Sequence, residues 1–169
     1  NKDYMTGTGD AGSALSSIKA DNIDYVFIDP PFGRNLFYSD LNSIWEGWHG
    51  VVTNEKTEAV VHKAQQNNRK NLNDYHGLMR TSLASIYRAI KPTGWLTIEF
   101  SNSQASVGNS ILLAIQDAGF IIANTSALDK KQRSFRSVTS PTAVKQDLVI
   151  SAYKPGNDFT NRFQSESNE

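Results

Sequence analysis

The sequence contains no cysteine, which excludes a disulfide framework and every thiolate-ligated metal site. Histidine is nearly as scarce: His49, His62 and His76 show no metal-ligand spacing, so no metal is expected. No sign of charge is in excess, because 17 basic side chains face 17 acidic ones. No general attraction therefore draws the chain to nucleic acid, and any such contact must use a local patch. No apolar run approaches the roughly 18–20 residues of a membrane span, and no signal peptide opens the chain. The first residue is Asn1 rather than Met, as expected of a processed or excised piece. What is present is 169 residues, 38% hydrophobic and 10% aromatic. That is too apolar for a disordered chain and enough for the core of one ordinary domain.

Strand and helix signals alternate along the sequence. Tyr4 to Thr6 is a short extended stretch, and the small residues from Gly12 to Lys19 read as a helix. Asp24-Tyr25-Val26-Phe27-Ile28 is a near-continuous apolar run, the pattern of a strand buried on both faces. Aromatic-rich sequence follows from Phe32 to Trp48, where Trp45 and Trp48 are spaced for one helix face and expected in the core or at an interface. The stretch 53–74 is polar and reads as an insertion with one helix. Met79, Leu83, Ile86 and Ile90 form one stripe of an amphipathic helix, which Pro92 and Gly94 end. Trp95 to Phe100 makes a second buried strand. Ile111, Leu112 and Ile115 mark a helix that stops at Gly119, and Phe120 to Ala123 and Leu148 to Tyr153 are further strands. From Gly156 the chain is polar and unpatterned, which places a domain at 1–155 and a tail or linker at 156–169. The alternation implies an α/β fold with a mostly parallel, helix-covered sheet.

Open α/β sheets carry their chemistry at the carboxyl ends of the strands. The first buried strand ends in Asp29-Pro30-Pro31-Phe32-Gly33, which sets two of the five prolines side by side. A plain strand exit explains one proline, since proline cannot continue a central strand and glycine suits the turn. It does not explain an acid, two prolines and an aromatic in that order. The four together suit a chemical task. An exocyclic amine on adenine or cytosine is a poor nucleophile because its lone pair is delocalised into the ring. Two acceptors, the Asp29 carboxylate and the Pro30 carbonyl, pull that nitrogen toward tetrahedral geometry and aim the lone pair outward. Pro31 stiffens the loop, and Phe32 offers a flat face for a base flipped out of its stack.

These residues resemble the amino-methyltransferases that use S-adenosylmethionine, whose motif is Asp/Asn-Pro-Pro-Tyr/Phe/Trp; this chain reads DPPF where DPPY is commoner. The resemblance runs from about Thr6 to Pro155. Gly9-Asp10-Ala11, then Leu15, Ile18 and Ile23 to Asp29, is similar to the segment leading into the motif in DNA methylases. Ile86 to Trp95 resembles that fold's helix, Lys-Pro-Gly-Gly turn and fifth strand, with Thr93 where the first Gly is usual. Leu112 to Phe120 and Asp147 to Lys154 resemble the next helix and the antiparallel last strand. Asp40 to Trp45 and Lys130 to Phe135 are similar to a bacterial group of N6-adenine/N4-cytosine DNA methylases. The resemblance implies a doubly wound, mostly parallel sheet of the Rossmann-like methyltransferase type with an antiparallel last strand. It further implies S-adenosylmethionine as methyl donor, DNA as partner and a bacterial cytoplasmic location. Asp29, Pro30, Pro31 and Phe32 would be catalytic, and Asp10, Ala11 and Asp29 cofactor-binding. No metal is needed, because a sulfonium methyl is already activated.

One departure has consequences. The family's main cofactor loop, Phe-x-Gly-x-Gly after its first strand, has no counterpart at the right distance. Gly7-Thr8-Gly9-Asp10-Ala11-Gly12 spells G-x-G-x-x-G with Asp29 20 residues beyond Gly9, near dinucleotide-binding spacing, but Pro30 and Pro31 have no role in ribose recognition. The resemblance places these glycines at the third strand. The first two strands are thus expected to be lacking, with the remainder of the parent methylase carrying the Phe-x-Gly-x-Gly loop and this chain binding the cofactor weakly alone. Between Asp129 and Lys145, five basic residues (Lys130, Lys131, Arg133, Arg136 and Lys145) meet one acid, which suits either a phosphate-contacting loop or a solvated hairpin. Asn102, after Ser101 at the end of the second buried strand, is a candidate substrate contact. Methylation of RNA or of a protein amide, or a non-catalytic nucleic-acid-binding module, are the alternatives.

Overall fold

The computed structural model describes residues 9–33, 38–62, 70–101, 104–129, 146–156 and 158. A short helix α1 (Ala11–Ala14) and a 3-10 turn (Leu15–Ser17) precede strand β1 (Ile23–Ile28). Helices α2 (Tyr38–His49) and α3 (Leu72–Ala89) follow, then β2 (Ile90–Phe100), α4 (Ala105–Asp117), β3 (Ile121–Asp129) and β4 (Gln146–Tyr153). The expected stretch at Tyr4 to Thr6 lies outside the described residues. The four strands lie in the order β1-β2-β4-β3. β1 runs parallel to β2, and β4 runs antiparallel to both β2 and β3. Three strands therefore share one direction and the last opposes them, as the resemblance implied.

Local sequence explains the element ends. Asp10 caps α1 by accepting the Gly12 N–H at 2.6 Å. The helix expected to Lys19 stops at Ser17, because Ile18 turns extended. Asn71 and Asp74 form a reciprocal capping box at the start of α3. Tyr75, Met79, Leu83 and Ile86 then make its buried stripe. Ile90 ends the helix in extended conformation, so β2 begins earlier than Trp95. Ile23 pairs with Ile90, but Tyr25 pairs with Trp95, so residues 91–94 bulge from the ladder. Gly94 is obligatory there, since a Cβ would sit 2.6 Å from Ile90 Cγ2. Thr93 takes a left-handed φ of 66°.

One sheet face, with Leu96, Ile98, Phe100, Ile150 and Ala152, packs on Leu83 and Ile86 of α3 and Ile111 and Ile115 of α4. Burying each of the larger side chains contributes roughly 1.5–3 kcal/mol. The opposite face is open, which corrects the expectation that β1 is buried on both sides. Tyr25 and Phe27 remain 54% and 56% exposed and Trp95 45%, because no described helix covers that face. Tyr25, Trp95, Tyr153 and Ile121 pair strand by strand into an apolar row, with the Trp95 and Tyr153 rings 5.4 Å apart.

The stretch 53–74 contributes buried Glu58, Val60 and Val61, and its last residues begin α3. One further expectation changes. α2 has no buried residue, so Trp45 and Trp48 are not core: its apolar stripe, Leu41, Ile44, Trp45 and Trp48, faces outward. No helix among the described residues is long and apolar enough to cross a membrane.

Candidate active site

β1 delivers Asp29 to the carboxyl end of the sheet, where Pro30 lacks the N–H to continue the ladder. Asp29 is exposed, Pro30 buried, and Pro31 and Phe32 half-buried. Gly33 then takes a φ of +85°, a conformation that favours glycine, and a Cβ would press on Val107 at 3.2 Å. Its carbonyl accepts the Val61 N–H at 2.9 Å, as part of a parallel bridge to Val60. The Tyr75 hydroxyl donates to the Pro31 carbonyl at 2.7 Å. The Phe32 ring meets Phe100 edge to face, centroids 5.7 Å apart. Among the described residues no hydrogen bond claims the Pro30 carbonyl.

This loop forms one wall of a cavity of about 730 Å³, with Asp29, Pro30 and Pro31 joined by Asp10 and Ala11 from the start of α1 and by Asn42 and Glu46 from α2. The structure thus brings together Asp10, Ala11 and Asp29, the three residues the sequence proposed for cofactor binding, across 19 positions of chain. The two carboxylates in this wall are acceptors for hydroxyls or amines, the groups a nucleoside offers. One Asp10 oxygen is already committed to the Gly12 N–H. Phe32 turns toward Phe100 rather than standing alone as a platform. Asn102, Lys130, Lys131, Arg133 and Arg136 lie outside the described residues.

The sequence missed the residues that brace this wall. Burial raises the Tyr38 hydroxyl pKa above its ordinary value, and the negative charge of Asp29 raises it further. Glu58, buried, accepts the Tyr38 and Ser39 N–H groups at 2.5 and 3.3 Å, satisfying the start of α2 and its positive dipole end. Lys70 donates to the Glu58 carbonyl from below. Glu46 accepts both the hydroxyl and the N–H of Thr53, and these bonds hold its carboxyl below the usual range. No local pattern announces Glu58 and Lys70, because Glu58 lies 20 positions beyond Tyr38 and Lys70 a further 12 beyond Glu58.

Comparison with known proteins agrees with this architecture. The model of a DNA methylase family matches residues 23–168. A protein from Thermus thermophilus named as a DNA modification methylase, solved in complex with S-adenosyl-L-methionine, is 16% identical. The match covers 88% of this chain and 54% of that one, with a TM-score of 0.53. The PvuII DNA methyltransferase, cytosine-N4-specific, is 13% identical over 87% of this chain and 49% of that one, with a TM-score of 0.53. No curated protein sequence matches the chain. At such identities the likeness shows the fold, a Rossmann-like methyltransferase sheet, and this chain spans about half the length of those structures. The family match over most of the sequence, joined to that sheet, shows that the chain belongs to the N6/N4 DNA methylase family.

Proposed function

We propose that this chain is the part of an S-adenosylmethionine-dependent DNA methyltransferase that holds the target base and presents its exocyclic amine, N6 of adenine or N4 of cytosine. The observation that carries this reading is the cavity at the carboxyl end of β1, walled by Asp29, Pro30 and Pro31 together with Asp10 and Ala11. Asp29 accepts one N–H of the amine and the Pro30 carbonyl accepts the other, which localises the nitrogen lone pair. Phe32, in T-shaped contact with Phe100, is the aromatic face assigned to the base. Asp10, Ala11 and Asp29 hold the nucleoside end of the cofactor, which supplies an activated methyl on sulfur when bound. Asn102 contacts the substrate, and Lys130, Lys131, Arg133 and Arg136 contact DNA phosphates.

The remainder of the methylase, with the Phe-x-Gly-x-Gly loop, is the second partner. The exposed row of Tyr25, Trp95 and Tyr153 supports this reading, because a sheet with parallel crossovers is normally covered on both faces. The matched structures continue for about as much chain again. The bacterial cytoplasm, where DNA and the methyl donor are both at hand, is the location this reading assigns.

The test is single-turnover transfer of a labelled methyl group to unmethylated DNA by the intact protein. Asp29→Ala removes the anionic acceptor, and the rate is expected to fall about 10²–10³-fold with folding preserved. Asp29→Asn keeps an acceptor oxygen and is expected to be milder. A folded Asp29→Ala protein that transfers methyl at the parental rate would reduce the motif to a turn.

A further inference from the structure

We infer that Tyr75 is a positioning residue that clamps the peptide group between Pro31 and Phe32 and thereby aims the Pro30 carbonyl. The inference rests on the proposed function, in which that carbonyl receives the target amine. Tyr75 is fully buried in the first turn of α3, and the Asn71–Asp74 capping box fixes that turn. Its hydroxyl reaches across 44 positions of chain to donate to the Pro31 carbonyl at 2.7 Å. The Pro31 carbonyl shares one peptide plane with the Phe32 N–H, so a bond to that carbonyl orients the whole plane.

The consequence for the preceding carbonyl is geometric. The Pro31 ring already fixes φ, so one soft torsion, ψ of Pro31, separates the clamped peptide from the peptide that carries the Pro30 oxygen. Asp29, preceding a proline, is confined to extended conformations. With the clamp in place, the carboxylate and the carbonyl that must address one nitrogen keep a constant relation. Without it, the loop keeps the Gly33 carbonyl bond to Val61 and the Phe32 packing on Phe100, neither of which acts on that peptide directly.

Tyr75→Phe in the intact protein keeps the ring and deletes the hydroxyl. Single-turnover methyl transfer to unmethylated DNA is expected to slow about 10–100-fold, the scale of a misplaced reacting group. The DNA and S-adenosylmethionine concentrations giving half-saturation are expected to stay within about twofold, since the clamp touches neither. The Phe32 amide is expected to exchange with solvent about tenfold faster or more, because its peptide is no longer held. Ile115→Val, in the α4 core away from the loop, lowers stability and is expected to leave both readouts unchanged. Tyr75→Phe with parental methyl transfer overturns the inference, and so does unchanged exchange at Phe32. If the parental protein methylates no DNA, the functional reading fails, while the exchange measurement still judges the clamp on its own.

Discussion

Lys154 is predicted to hold three parts of the fold together, and its replacement gives a quantitative check. It follows β4 and turns its ammonium into the end of α3, donating to the carbonyls of Tyr87 and Ile90 at 3.0 and 2.9 Å and to the Asp21 carboxylate at 2.6 Å. The head also lies 4.7 Å from the Tyr87 ring centroid. Its side chain is 13% exposed, whereas that of Asp21 is 53% exposed, so the two halves of this arrangement differ in strength. The ion pair is screened at the Asp21 side and contributes less than about 1 kcal/mol. The carbonyl bonds close the α3 C-terminus, where a cation also meets the negative dipole end, and a hydrogen bond to a charged group contributes about 1.5–3 kcal/mol. Lys154→Met retains the apolar stem and deletes the head. The expected loss is about 2–3 kcal/mol for Lys154→Met and under about 1 kcal/mol for Asp21→Asn. In urea unfolding the midpoint should fall with an unchanged slope, and the melting temperature should drop by about 5–10 °C for a chain of this size. Raising salt to about 0.5 M should shrink the Asp21→Asn effect and leave most of the Lys154→Met effect. Methyl transfer should be unaffected, because Lys154 and Asp29 sit at opposite ends of the sheet. Equal losses for the two variants would refute the reasoning, since the bridge would then be an ordinary surface ion pair.

Thr93→Gly should raise the urea midpoint by about 0.5–1 kcal/mol of stability, as relief of a left-handed β-branched residue exceeds the entropy glycine adds to the unfolded chain; a lowered midpoint would contradict it. Replacing Lys130, Lys131 and Arg133 with Ala should weaken DNA binding across all sequences and flatten its salt dependence by about one ion per lost contact, and unchanged binding would make the segment a solvated connection. Alkaline pH should destabilise the fold. Burial, then the neighbouring Tyr38, raises the Tyr75 pKa, and burial, then Asp29, raises that of Tyr38. The unfolded chain loses these protons from about pH 10 while the folded chain keeps them. Stability is therefore full below that pH and declines above it. Tyr75→Phe should flatten the decline, and identical curves would exclude Tyr75 as its source.

The motif was legible because it is local: an acid, two prolines and an aromatic at a strand end need no knowledge of the rest of the chain. The α3 stripe was legible for the same reason, since Met79, Leu83 and Ile86 repeat at helical spacing and all three are buried. β1 shows the limit of such reading. Its apolar run is real, but hydrophobicity does not say what covers it, and among the described residues no helix packs on the face at Tyr25 and Phe27. Ile90 belongs both to the α3 stripe and to the first pair of the β1–β2 ladder, so no periodicity could set that boundary. The polar stretch 53–74 hid Glu58, whose carboxylate serves residues 19 and 20 positions earlier, because a buried carboxylate looks like a solvated one until its partners are known.

The division between local and distant causes is sharpest within the loop itself. Two successive prolines fix two φ angles and remove two donors, which narrows the loop without selecting one conformation, because ψ stays variable. The remaining freedom is removed by groups that the motif does not contain: Tyr75 on the Pro31 carbonyl, Val61 on the Gly33 carbonyl and Phe100 on the Phe32 ring. Asp-Pro-Pro-Phe in an unrelated turn would have the acceptors and lack their relative placement. If catalysis depends on two acceptors addressing one nitrogen, the rate should be as sensitive to the Tyr75 hydroxyl, which never meets the substrate, as the binding constants are insensitive to it.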